Sequence, residues 1–216
     1  MFHSILNADQ VGNWDLYELS QRKFETFVLE LKNLGLKFCR FEDTSENKVN
    51  GVSITFDDGY KDNLSVALPF LSKHQIPFTV FVVSDFLGEL HDKYLSEAEL
   101  IELSQSPWVN IGAHGKTHRP LTEMGLEEAR EELKLSKERL ESLIGRPVTT
   151  MSFPHGCYNS ELIEVARSLG YTRIGTSDPR PNEDSSQPQV SRQCIYSCDT
   201  LTSFRQKVLG LWDWVW

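Results

Sequence analysis

The order of apolar patterns along the 216 residues predicts an α/β fold, a parallel sheet with outer helices, in one domain over 1–216. Three observations carry this prediction. Short β-branched and aromatic runs alternate with 3.6-residue helical patterns, glycine ends several helical runs, and 39% of the residues are hydrophobic, enough for a sizeable core. The alternation fits a doubly wound sheet and a closed barrel equally well.

The first half of the chain opens with a short apolar segment over 1–6. A helix is predicted between its N-cap Ser20 and Gly35, because apolar residues recur between them at helical spacing. The next predicted elements are a strand over 51–56, a helix over 63–73, a strand over 76–83 and a helix that starts at the capping box of Ser96 and Glu99.

The second half continues the alternation with a strand over 108–113 and a long charged helix over 126–143, which ends before Gly145. Further predicted elements are strands over 148–153, 171–175 and 190–196, helices over 160–169 and 200–209, and an acidic surface loop over 177–189. In parallel α/β sheets, ligands bind at the carboxyl ends of the strands. The residues that directly follow each strand are therefore the first candidates for a site.

Composition and charge exclude several classes of partner. The formal net charge of −9 argues against nucleic acid and anionic lipid. The longest apolar run, 76–83, is far shorter than the roughly 18 residues of a membrane-spanning helix, so no membrane span is expected. The first ten residues lack the basic and apolar parts of a signal peptide, and the four cysteines form no CxxC pair. We therefore expect a cytoplasmic protein with reduced thiols.

Carboxylates and histidines follow two of the predicted strands. Asp57 and Asp58 are adjacent, and such carboxylates repel each other unless a cation or an acid–base role separates their protonation; a plain Asp-Asp-Gly turn is the alternative. His114 and His118 lie four residues apart, so both ring nitrogens are able to reach one metal ion from an irregular turn or one helix face. The combination favours a metal site over unrelated polar histidines.

A third turn, Pro154-His155-Gly156, follows the strand over 148–153 at the same rim. Because Gly156 permits close approach, this turn is able to present a backbone N–H to an oxyanion, although a simple helix entry is the alternative.

These turns resemble the motifs of polysaccharide deacetylases, the NodB-homology enzymes of carbohydrate esterase family four. The resemblance runs over about 1–209 and is carried by the histidine turn, by Phe153-Pro154-His155-Gly156 and by the string Ile54-Thr55-Phe56-Asp57-Asp58-Gly59-Tyr60. It implies a distorted (β/α) barrel, usually of seven parallel strands, that holds one divalent metal ion. Zinc is the commonest ion in this family, and cobalt, nickel, manganese and iron are alternatives.

The resemblance also implies roles for individual residues. Asp58, His114 and His118 would be the metal ligands, and Asp57 would be the catalytic base. The predicted substrate or oxyanion contacts are Tyr60, Pro154, His155, Gly156 and Arg192.

The sequence departs from the family pattern at two places. Ser152 stands where the third motif usually has an arginine that orients the base; Arg192 is a candidate replacement, and an exposed surface arginine is the alternative. No histidine follows His155 to serve as the usual C-terminal general acid. Phe2-His3-Ser4 resembles an aromatic-histidine pair in the biofilm poly-N-acetylglucosamine deacetylases, so we predict His3 as the acid and His155 as the runner-up; a terminal residue without a role is the alternative for His3.

The expected function is metal-dependent removal of the acetyl group from an N-acetylated amino sugar in a polysaccharide or glycoconjugate. Hydrolysis of an O-acetylated glycan or of a small amide would use the same metal and base. A barrel that binds glycan without turnover is the alternative from a different class of protein.

Overall fold

A curled sheet of parallel strands forms the centre of the molecule. The structure is a computed structural model, and it describes residues 1–6, 15–45, 51–88, 92–180, 182 and 187–211. The six strands of the sheet lie in the order β10-β9-β8-β7-β6-β5. Their bounds are β5 (Ile54–Phe56), β6 (Phe78–Val82), β7 (Val109–Ala113), β8 (Thr150–Ser152), β9 (Arg173–Gly175) and β10 (Gln189–Val190). Two further parallel pairs are formed by β1 (Ser4–Leu6) with β2 (Glu18–Ser20) and by β3 (Lys37–Phe38) with β4 (Gly51–Val52).

Helices connect the strands and cover the outside of the sheet. They are α1 (Gln21–Asn33), α2 (Leu68–Lys73), α3 (Glu97–Ser104), α4 (Leu126–Ile144), α5 (Ser160–Ser168) and α6 (Leu201–Val208). The predicted caps are confirmed at Ser20, whose side chain accepts from Lys23, and at the reciprocal pair of Ser96 and Glu99. None of the described helices has the length and apolar character that crossing a membrane requires.

The first two residues lie between the β5 edge of the sheet and the segment that follows β10. The N–H of Phe2 donates to the carbonyl of Thr55 at 2.8 Å, and the N–H of Asp57 donates to the carbonyl of Phe2 at 3.0 Å. On the other side, the N–H of Ile195 donates to the carbonyl of Met1 at 3.1 Å. These bonds continue the curled sheet around the barrel, so the distorted (β/α) barrel is confirmed, with the N-terminal residues between six sheet strands rather than a regular seventh strand.

The predicted strand over 190–196 is wrong in length. Only Gln189–Val190 pairs with β9, because the chain beyond it turns towards Met1 instead of following the sheet. The predicted helix over 63–73 begins with a π-helical turn over Asn63–Ala67. The sequence did not indicate β2 or β3, which have three and two residues and are too short to display a strand period. The predicted loop over 177–189 lies partly outside the described residues.

Candidate active site

The candidate site lies at the carboxyl ends of β5 and β7, with β6 between them. Asp57 and Asp58 directly follow β5, and His114 directly follows β7. Parallel pairing of Ala113 with Met151 brings the end of β8 to the same rim. The residues that the sequence analysis singled out after separate strands are therefore neighbours in space.

Asp58, His114 and His118 form an Asp-His-His triad whose possible ligand atoms all lie within 4.8 Å of one another. Nε2 of His118 lies 3.2 Å from Oδ1 of Asp58, and Nε2 of His114 lies 3.4 Å from the same oxygen. Burial raises the pKa of Asp58, but the two imidazoles lower it more, so this carboxyl pKa lies well below its usual range. One carboxylate and two imidazoles are ligand types found in catalytic zinc sites.

One buried atom tests whether a cation fits the triad. Oδ1 of Asp58 accepts no hydrogen bond from the described residues, which is costly for a buried carboxylate unless something else binds it. Ligand atoms that each lie roughly 2.0–2.2 Å from one ion stand about 3.0–3.5 Å apart. Both measured distances to Asp58 fall in that range. The residues present therefore fit a divalent metal ion.

Ser152 orients the first histidine of the triad. Its hydroxyl lies 2.7 Å and its carbonyl 3.0 Å from Nδ1 of His114. Because a carbonyl only accepts hydrogen bonds, Nδ1 carries a hydrogen, and the Nε2 that faces Asp58 is free to act as a ligand. This contact was not predicted, because it depends on the register of β8 against β7, which leaves no local signal in the sequence.

Arg192 binds Asp57, the predicted base, through both carboxylate oxygens. Nη1 donates to Oδ1 at 2.7 Å and Nη2 to Oδ2 at 2.9 Å. Both side chains are buried, so the alternative of a surface arginine is wrong. Burial raises the pKa of Asp57, but Arg192, His114 and His3 lower it to about 2. Asp57 is therefore a carboxylate at neutral pH, held in one orientation by a bidentate pair.

The surroundings of Arg192 explain how a buried guanidinium fits there. Its Nε donates to the carbonyl of Thr176 at 3.0 Å, and its guanidinium lies 5.1 Å from the ring centroid of Phe81. A Cβ atom on Gly175 would lie only 2.7 Å from Nε of Arg192. Glycine at this position is thus what allows the arginine to pass the end of β9 and reach Asp57.

His3 stands on the same side of the site as Asp57. The hydrogen bond from the N–H of Asp57 to the carbonyl of Phe2 places the next residue, His3, beside the two aspartates. Burial lowers the pKa of His3, whereas the carboxylates of Asp57 and Asp58 raise it less. Its Nδ1 is buried without a hydrogen-bond partner among the described residues. Asp57, Arg192 and His3 are called the Asp-Arg-His cluster below.

The Pro154-His155-Gly156 turn lies next to the triad. Its hydrogen bonds limit which of its N–H groups is available to an oxyanion. The rings of His155 and His118 are 4.4 Å apart, and Nε2 of His155 donates to the carbonyl of His118 at 3.0 Å. The N–H of Gly156 donates to the carbonyl of Phe153 at 3.0 Å, so it is engaged within the turn and is not an open oxyanion donor. The N–H of His155 stays as the candidate donor of this turn.

Tyr60 has a buried side chain, which limits how it would meet a substrate. The residue is 8% exposed, and its ring packs against Tyr94 with ring centroids 4.9 Å apart. Burial, followed by the charge of Asp58, raises the pKa of the Tyr60 phenol above its ordinary value. A contact between Tyr60 and a substrate would therefore involve its main chain rather than an ionised phenol.

Left-handed backbone is concentrated at this rim. Asp58, His118 and His155 have φ angles of 74°, 66° and 57°, and the one other described non-glycine residue with positive φ is Gln75. Each such residue costs on the order of 1–3 kcal/mol and persists only where its surroundings fix it. Strained backbone that coincides with clustered histidines and carboxylates is typical of a functional site.

A parallel barrel whose rim combines an Asp-His-His triad with an arginine-bound carboxylate has the side chains that hydrolases use. The profile of the family described as Polysaccharide deacetylase matches residues 44–174, more than half of the chain. The chain belongs to the polysaccharide deacetylase family, and the family predicted from the motifs is confirmed.

Individual relatives agree with this assignment. YxkH of Bacillus subtilis is 32% identical over 186 residues, covering 83% of this chain and 63% of YxkH. The poly-beta-1,6-N-acetyl-D-glucosamine N-deacetylase of Staphylococcus aureus is 26% identical over 171 residues, covering 71% of this chain and 59% of that protein. The crystal structure of BA0330 from Bacillus anthracis superimposes with a TM-score of 0.81 at 25% identity, covering 96% of this chain and 67% of that one. The chain thus spans less than two thirds of the two sequence relatives.

Proposed function

We propose that the protein is a metal-dependent deacetylase that hydrolyses the acetamido group of an amino sugar in a polysaccharide or glycoconjugate. The observation that carries this proposal is the unpaired Oδ1 of Asp58, which faces two imidazoles beside the arginine-bound Asp57. A barrel that only binds glycan has no need of this second, oriented carboxylate. Family membership and the similarity to the Staphylococcus aureus deacetylase support an acetylated carbohydrate as the substrate.

The residues of the site divide the chemistry between them. Asp58, His114 and His118 would hold the metal, with zinc as the first choice. When bound, a divalent ion supplies a Lewis acid that polarises the acetyl carbonyl and acidifies a water molecule. Asp57 accepts the proton of the attacking water, and Arg192 keeps that carboxylate ionised and fixed.

The proton that the departing amine needs is assigned to His3. Its buried Nδ1 has no described partner and it stands beside Asp57, whereas the Nε2 hydrogen of His155 is already donated to the carbonyl of His118. His3→Ala is expected to lower kcat by roughly 10² to 10⁴. His74→Ala, at the far end of α2, is the matched control and is expected to keep kcat. Unchanged turnover in the His3 variant would remove His3 from the mechanism.

Acetate release from the metal-free and metal-loaded protein tests the whole proposal. The metal is removed with a chelator, zinc or cobalt is added back, and acetate is measured with β-1,6-linked N-acetylglucosamine oligomers and with an O-acetylated glycan. We expect acetate from the N-acetylated oligomers after metal is restored. Acetate from the O-acetylated glycan alone would indicate the esterase, and no acetate with either would contradict an enzyme. The cytoplasmic location stays a prediction, which fractionation of the native cells tests.

A further inference from the structure

The turn between the two triad histidines has an unusual backbone. Gly115 and His118 have φ angles of 73° and 66°, so two residues of this short loop adopt the left-handed conformation. For a residue with a side chain, the left-handed conformation costs roughly 1–2 kcal/mol. Something outside the turn must therefore fix the position of His118.

Helix α4 supplies that support through Glu132. Oε2 accepts from the N–H of Lys116 at 3.1 Å and from the N–H of Thr117 at 2.9 Å, and Oε1 accepts from the hydroxyl of Thr117 at 3.1 Å. Glu132 is 9% exposed and forms no salt bridge within the described residues. The carboxylate of Glu132 thus accepts three hydrogen bonds, all of them from the loop between His114 and His118.

Ser136 lies one helical turn further along α4 and contacts the same loop. Its hydroxyl donates to the carbonyl of Gly115 at 2.9 Å, and its side chain is fully buried. Residues four apart share one helix face, so Glu132 and Ser136 together engage both N–H groups in the middle of the turn and the carbonyl at its start. Hydrogen bonds to a charged acceptor are stronger than neutral ones, so Glu132 makes the larger contribution.

From these contacts we infer that Glu132 and Ser136 are positioning residues that hold His118 in the orientation the metal site needs. The inference rests on the proposed function, because that function makes His114 and His118 ligands of a metal ion. Among the described residues, neither forms a hydrogen bond to a triad side chain; both bind the backbone between the two histidines, and Glu132 also accepts from the hydroxyl of Thr117. Residues that orient metal ligands in this way typically change metal affinity or activity by roughly 10- to 100-fold when replaced.

The test measures metal binding directly, by titrating zinc and cobalt into the metal-free full chain and recording Kd by calorimetry. Glu132→Ala is expected to raise Kd by roughly 10- to 100-fold, and Ser136→Ala is expected to raise it by a smaller but measurable factor. Glu132→Gln keeps one oxygen to accept from the two N–H groups and is expected to restore most of the affinity. Glu131→Ala is the matched control, since Glu131 is 55% exposed and pairs with Lys134 on the outer face of the same helix.

Each outcome of the titration decides one question. A raised Kd in Glu132→Ala, largely restored in Glu132→Gln and absent in Glu131→Ala, supports the inference. An unchanged Kd in Glu132→Ala, even with a lower Tm, would mean that Glu132 only stabilises the fold. If Glu132→Ala does not fold, Ser136→Ala decides: a Kd equal to that of the unaltered protein overturns the inference. Absence of metal binding in the unaltered protein contradicts the proposed function instead, so the two failures are distinguishable.

Discussion

The Asp-His-His triad and the Asp-Arg-His cluster lie side by side at one rim, but they are assembled differently. The triad comes from two short segments: Asp58 follows β5, and both histidines lie in one turn after β7. The cluster joins distant parts of the chain, since Asp57 and Arg192 are 135 positions apart and His3 comes from the first strand region. The triad is therefore encoded by short motifs, whereas the cluster depends on closure of the barrel.

This difference predicts separable losses. Substitution of a triad side chain should remove metal binding and activity together. Substitution of a cluster side chain should remove proton transfer or weaken the closure of the barrel. In either case the triad should still bind metal.

Asp57→Asn is expected to lower kcat by up to roughly 10⁴, because an amide accepts no proton from the attacking water. Metal Kd should change little, since the three triad side chains are retained. His118→Ala is the comparison: it should lose metal affinity and activity together. Acetate release and zinc calorimetry on both variants check this prediction. Deacetylation by Asp57→Asn at the original rate would exclude Asp57 as the base.

Arg192→Met is expected to destabilise the fold by about 3–5 kcal/mol, because it leaves Asp57 buried without its counter-ion. Arg205→Met is the matched control: Arg205 also binds a carboxylate, that of Glu30, at 2.7 Å, but it is 48% exposed. An exposed ion pair contributes only about 0–1 kcal/mol. Free energies of unfolding in urea compare the two. If both variants lose the same free energy of unfolding, burial does not make the Asp57–Arg192 pair more important to stability than an exposed ion pair.

The sequence predicted the triad and the order of the main strands, because strand period and short motifs are local signals. It named Arg192 as a candidate partner of the base but left a surface arginine equally open, since no local pattern encodes a contact with Asp57 across the barrel. Ser152 and Glu132 were missed as supports of the histidines for the same reason. Their contacts depend on strand register and on how α4 packs against the rim.

Ser152→Ala tests whether the triad needs support from the neighbouring strand. The substitution removes the hydroxyl 2.7 Å from Nδ1 of His114 and keeps the carbonyl at 3.0 Å. We expect metal Kd to rise by about tenfold, at the low end of the effect of outer-shell partners. Ser168→Ala, on a hydroxyl at the end of α5, is the control that should leave Kd unchanged. A larger loss of kcat than of metal affinity would place Ser152 in the chemistry of the cluster instead.

The smallest predicted effect belongs to Asp62, which contacts Ser4 at the start of β1, next to His3. Its Oδ2 accepts from the hydroxyl of Ser4 at 2.6 Å, and Asn63 donates both to Oδ1 of Asp62 at 2.9 Å and to the carbonyl of His3 at 3.1 Å. Burial raises the pKa of Asp62 to about 7, against the lowering effect of its hydrogen bonds. The folded state therefore binds this proton more tightly than the unfolded chain does.

The sign of the pH effect follows from that raised pKa. The contribution of Asp62 to stability is complete below the unfolded pKa near 3.8 and is lost as pH rises to about 7. Between pH 5 and pH 8, the protein should lose about 1 kcal/mol of unfolding free energy relative to Asp62→Asn, since the side chain is only partly buried. Urea unfolding of both proteins at these two pH values measures the difference. Parallel pH profiles would mean that Asp62 is ionised over this whole range, and that a carboxylate, not a protonated acid, accepts the hydrogen bonds of Ser4 and Asn63.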